Sequence, residues 1–75
     1  MQRYGDIDRD SGVREYETGP DFIRVRFKDG GTYLYTYGAT GASNVETMKS
    51  LAASGEGLNS YIMKHVRKNY AAKEA

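Results

Sequence analysis

Two clusters of basic side chains and a run of tyrosines are the groups in this chain best suited to chemistry. Arg24, Arg26 and Lys28 alternate along Phe22-Ile23-Arg24-Val25-Arg26-Phe27-Lys28, and Lys64, His65, Arg67 and Lys68 crowd one stretch near the C-terminus. A period of two puts the first three cations on one face of a strand, and either cluster could contact phosphate. Tyr33 and Tyr35, in Thr32-Tyr33-Leu34-Tyr35-Thr36-Tyr37, offer rings for unpaired bases to stack on, the usual route to single-stranded RNA recognition. The candidate nucleic-acid-binding residues are therefore Arg24, Arg26, Lys28, Tyr33, Tyr35, Lys64, Arg67 and Lys68. The same residues also have an ordinary explanation. An exposed sheet face needs soluble side chains, and bases late in a helix complement its dipole. A pI near 8.0 also falls short of the value above about 9 typical of dedicated nucleic-acid binders.

Other chemistry finds less support. Asp6, Asp8, Asp10, Val13 and Glu17 have the spacing of oxygen ligands in an EF-hand loop, but the position that requires glycine holds Ser11, with Gly12 one place late. No helix has room to precede Asp6, so a solvated acidic segment is the expectation and no metal is assigned. His65 is the single histidine and lies near the edge of an apolar stripe, which suits a packed or surface imidazole better than a general base. Gly38-Ala39-Thr40-Gly41 and Ser54-Gly55-Glu56-Gly57 lack the lysine and hydroxyl ending of a phosphate loop and read as linkers. The chain has no cysteine, which excludes disulfides, thiolate metal sites and a cysteine nucleophile. No cofactor and no catalysis are expected.

The elements that must position these groups fit one small domain, since 75 residues cannot divide into two stable cores. Leu, Ile, Val and Phe number only twelve, whereas there are seven tyrosines and a net charge of +1, so the core is expected to depend on tyrosine rings. Residues 1–12 carry charges at nearly every other position and are read as a flexible acidic arm contributing little core. Val13 to Glu17 favour extended structure, Thr18-Gly19-Pro20-Asp21 forms a turn, and Phe22 to Lys28 is the clearest strand, with Ile23, Val25 and Phe27 facing the core. Thr32 to Tyr37 is the return strand after Asp29-Gly30-Gly31.

The register of that hairpin decides the role of the tyrosines. A two-residue turn pairs Val25 with Leu34 and exposes Tyr33 and Tyr35 beside Arg24 and Arg26. A three-residue Lys28-Asp29-Gly30 loop with a glycine bulge pairs Val25 with Tyr33 and Ile23 with Tyr35, and buries the rings. The scarcity of aliphatics favours the second. Ser43-Asn44-Val45-Glu46 matches a capping box, predicting a helix from Asn44, with Val45, Met48, Leu51 and Ala52 on its apolar face. Leu58, Ile62, Val66 and Tyr70 mark a second helix, at whose start Asn59 is expected to hold the fold by capping. The fold class is α+β: a three-stranded antiparallel meander followed by two helices packed on one face, with the domain at 13–72 and a frayed tail at 73–75.

A strand ending in Phe27, the Gly30-Gly31 turn, Tyr33-x-Tyr35, a short helix, then Ser54-Gly55 and Leu58-Asn59-x-x-Ile62 together resemble the KTSC domain. This small module is named from the C-terminus of some lysyl-tRNA synthetases and also occurs as stand-alone bacterial proteins. The similarity runs from Tyr16 to Tyr70 and closes on Arg67-Lys68-Asn69-Tyr70. The resemblance implies the meander-plus-helices fold and RNA as a ligand proposed for the family. No apolar run is long enough to span a membrane and no signal-like segment follows Met1, so a cytoplasmic monomer is expected. Two functions follow as expectations: a noncatalytic module binding RNA through the basic residues and tyrosines, or a protein–protein interaction module.

Overall fold

The computed structural model describes residues 1–5 and 12–74. Strands β1 (Gln2–Arg3), β2 (Val13–Gly19), β3 (Phe22–Phe27) and β4 (Thr32–Thr36) precede the helices α1 (Tyr37–Thr40), α2 (Ala42–Ser54) and α3 (Leu58–Tyr61). Helix α3 continues into a π-helical turn at Ile62–Val66, and β5 (Ala72–Lys73) follows. The strands form one antiparallel sheet in the order β1-β2-β3-β4-β5, with α2 and α3 against one face. This is the expected α+β arrangement, sheet first and helices packed on it, widened from three strands to five.

The central hairpin takes the bulged register. Tyr33 lies opposite Val25 and Tyr35 opposite Ile23. Around the loop, the Phe27 N–H donates to the Gly31 carbonyl at 2.8 Å and the Gly30 N–H to the Phe27 carbonyl at 2.9 Å. Gly30 adopts φ +99°, a backbone conformation that costs other residues a clash of Cβ with the carbonyl. The Asp29 carboxylate accepts from the Gly31 N–H at 2.9 Å and holds the turn.

That register gives the sheet its inner face: Tyr16, Ile23, Val25 and Tyr35 are all buried. Against them pack Val45, Met48 and Ala52 of α2 and Leu58, Ile62 and Val66 of the last helix, the residues whose spacing marked both apolar stripes. Three tyrosines, Tyr4, Tyr16 and Tyr35, belong to the buried core. Tyr4 and Tyr16 meet edge to face with centroids 6.5 Å apart, the geometry in which a ring's positive edge meets another's negative face.

Four expectations need correction. Gln2–Arg3, assigned to the flexible arm, pair with β2, and Tyr4 is 3 % exposed within the core. The open amides of the β2 edge supply a ladder that short polar residues can complete, and a ring behind them adds the burial. At the other end, Lys73 and Glu74 are not frayed: Lys73 pairs opposite Tyr33, and the Glu74 N–H donates to the Thr32 carbonyl at 2.7 Å. The capping box does not form, because α2 begins at Ala42 after Gly41 and so places Ser43 inside the helix. Instead, Thr36 caps the short α1, accepting from the Ala39 N–H at 3.2 Å in what was read as a loop. Asn59 makes no capping bond, since α3 starts one residue earlier, after Gly57. The acidic series Asp6, Asp8 and Asp10 lies outside the described residues, while Glu17 belongs to β2.

Candidate nucleic-acid interface

Pairing of β2 with β3 sets Glu17 opposite Arg24 and Glu15 opposite Arg26 on the outer face of the sheet. Arg24 makes an ion pair with Glu17 and a second with Glu74, Nε to Oε1 at 2.6 Å, while Arg26 reaches Glu15 at 3.3 Å. The hydrogen bond that Arg24 donates to Glu74, reinforced by the charges of both carboxylates, raises the Arg24 pKa above its ordinary value despite some desolvation. Arg24 also lies over the Phe22 ring, 5.3 Å from its centroid. The strand arginines are thus matched by carboxylates across the sheet. A phosphate placed there would compete with Glu15, Glu17 and Glu74.

The C-terminal bases are arranged differently. Among the described residues, Lys64, Arg67 and Lys68 take part in no ion pair, and all three are exposed. Arg67 and Lys68 follow the π-helical turn and flank a cavity of about 300 Å³, at the small end of ligand pockets. The cavity is walled by Phe27, Tyr33, Tyr35, Ile62, Met63 and Tyr70, with Asp29 at its margin. Phe27, Tyr33 and Tyr70 form a chain of edge-to-face rings, with centroids 5.6 Å apart for Phe27–Tyr33 and 4.9 Å for Tyr33–Tyr70. Lys73 Nζ sits 5.7 Å from the Tyr33 centroid, so the same ring is shared with a cation. Met63 and Tyr70 are 49 % and 38 % exposed, large apolar groups left open on the rim.

Tyr35 is the buried member of this wall. Its ring is 1 % exposed, and its pKa is pushed up to about 12, first by burial and then by the neighbouring Tyr33 and Tyr70 phenols. The hydroxyl is therefore a neutral donor and acceptor at physiological pH.

Of the eight candidates, the fold brings Tyr33, Tyr35, Arg67 and Lys68 to one cavity. Arg24 and Arg26 lie on the outer sheet face, while Lys28, in the hairpin loop, and Lys64, on the π-helical turn, are exposed outside the cavity lining. Sequence reasoning missed Phe27, Asp29, Met63, Tyr70 and Lys73 as site residues. Tyr70 was misplaced on the helical stripe because its spacing from Val66 is helical, yet the helix ends first and the ring swings onto Tyr33. The break at Lys68-Asn69-Tyr70 is a signal that could have shown this. His65 is exposed and stacks at a tilt on Tyr61, with centroids 4.5 Å apart. Among the described residues no three His, Asp or Glu side chains gather to hold a metal, and no helix is long and apolar enough to cross a membrane. No family model, curated protein or solved structure matches the chain.

Proposed function

We propose that this protein is a small noncatalytic module of the KTSC type that binds single-stranded RNA at the cavity between the central hairpin and the last helix. The observation that carries this reading is the contrast between its two basic surfaces. The strand arginines are matched by carboxylates, whereas Arg67 and Lys68 have no ion-pair partner among the described residues and lie beside an open aromatic cleft. Unpaired cations beside exposed rings are the two components of single-strand recognition, phosphate attraction and base stacking. Duplex grooves need a protruding helix or ribbon that a concave cleft of this size does not offer.

NMR shift mapping with mixed-sequence RNA oligonucleotides at two ionic strengths tests the proposal. Perturbations at Tyr33, Met63, Arg67, Lys68 and Tyr70 that weaken steeply with salt support it. Unchanged spectra at low salt overturn it. Perturbations by a protein partner that are insensitive to salt would favour the interaction-module alternative instead.

A further inference from the structure

The cavity holds two polar groups that phosphate attraction does not explain. The Tyr35 ring is almost wholly buried, yet among the described residues its hydroxyl has no hydrogen-bond partner within the protein. No buried side-chain oxygen in the described structure lacks a partner, so this hydroxyl is one that solvent reaches, and the cavity is the opening that Tyr35 lines. A phenol without a protein partner at the wall of the cavity is available as a donor to a ligand there. Asp29 is the second group. Its turn bond to Gly31 uses only part of its accepting capacity, and a carboxylate that lines an RNA site repels phosphate but matches a ligand with N–H donors.

Deepening the RNA reading above, on which it rests, we infer that the cavity selects an unpaired guanine: the Asp29 carboxylate accepts from guanine N1–H and N2–H, and the Tyr35 hydroxyl donates to an acceptor on the same base. The donor pattern of the bases decides this. Guanine alone presents two adjacent N–H donors on its Watson–Crick edge, matching the two oxygens of a carboxylate. Adenine and cytosine each place a ring acceptor beside one amino group, and uracil flanks its single N–H with carbonyls, so each would set a lone pair against Asp29. The Gly31 N–H occupies one lone pair of Asp29 Oδ1, and a carboxylate has roughly four such sites, so both oxygens stay available. The rings of Tyr33 and Tyr70 supply the stacking surface, and Arg67 and Lys68 lie where flanking phosphates would run.

Fluorescence anisotropy with oligouridine carrying a single central G, A, C, U or inosine tests the inference on the intact chain. The guanine probe is expected to bind roughly tenfold more tightly than the A, C and U probes, as a bidentate base contact typically provides. Inosine, which keeps N1–H but lacks the amino group, should fall between. Asp29→Asn retains an amide oxygen for the Gly31 turn but places an NH₂ against the base, and should abolish the preference for the G probe over the A, C and U probes. Equal affinity for all five probes overturns the guanine assignment and leaves RNA binding standing. Inosine binding as tightly as guanine, or a preference that survives in Asp29→Asn, overturns the role of Asp29. Absence of binding to every probe at low salt overturns this inference and the RNA reading together.

Discussion

The backbone N–H of Leu58 donates to the Tyr4 hydroxyl at 3.2 Å in the interior, so the residue that follows the first strand supplies the acceptor for the first turn of the last helix. Helix α3 has no side-chain cap of its own, and this phenol satisfies one of the amides that a helix N-terminus leaves open. Tyr4→Phe should therefore destabilise the protein by about 1–3 kcal/mol, the cost of stranding a buried donor. Tyr4→Ala, which also empties the site of the ring, should cost about 3–5 kcal/mol. Urea denaturation of both variants checks the order. Equal stability of Tyr4→Phe and the parent would mean that the Leu58 amide finds another partner.

Gly30 offers a test of pure backbone strain, because a Cβ built there meets nothing within 4 Å while φ stands at +99°. Gly30→Ala should cost roughly 1–2 kcal/mol through the left-handed conformation alone. A D-alanine at the same position, introduced by chemical synthesis, should instead stabilise by about 0.4–1 kcal/mol, since it fits the native angles and restricts the unfolded chain. Opposite signs in thermal unfolding are the expected outcome. Destabilisation by both residues would show that the loop rejects any side chain.

Burial of Tyr35 makes stability depend on alkaline pH. Its phenol ionises near pH 10 in the unfolded chain and only near 12 in the native state, so the native state holds the proton more tightly. The resulting stabilisation is complete below pH 10 and disappears as the pH rises from 10 to 12. Because solvent reaches the hydroxyl, the loss in that window should be at most about 3 kcal/mol. Denaturation midpoints followed across the window in the parent and in Tyr35→Phe check this. The variant should show the shallower decline, and identical slopes would remove Tyr35 as the cause.

Most of this fold was legible where side-chain pattern and backbone demand coincide. Ile23, Val25 and Phe27 alternate on β3, and Leu58, Ile62 and Val66 recur at helical spacing, because each must face the same core. The bulged register followed from a shortage of aliphatics that required Tyr35 inside. Strands β1 and β5 were not legible, since two-residue strands are recruited by the open amides of their neighbours and carry no period of their own. The candidate site divides in the same way. Tyr33, Tyr35, Arg67 and Lys68 stood out by type. The matching of Arg24 and Arg26 by carboxylates depended on the β2–β3 register, and also on a tail residue, Glu74, that local pattern marked as frayed.

That division makes the two basic surfaces separable in solution. Each cation that contacts a single-stranded phosphate contributes about 0.7 to the slope of log affinity against log salt. Arg67→Ala and Lys68→Ala should each weaken RNA binding and lower that slope by about this amount, with stability unchanged because both side chains are exposed and outside any described ion pair. Arg24→Ala should do the reverse. It releases Glu17 and Glu74 from their partner, so stability should fall by up to about 1 kcal/mol, as expected of partly exposed ion pairs, while the salt slope stays the same. Anisotropy titrations over a range of salt, run beside urea denaturation, separate the two effects. If Arg24→Ala lowered the slope as Arg67→Ala does, RNA would have to displace the carboxylates of the outer sheet face, and the interface would extend over both sides of the molecule.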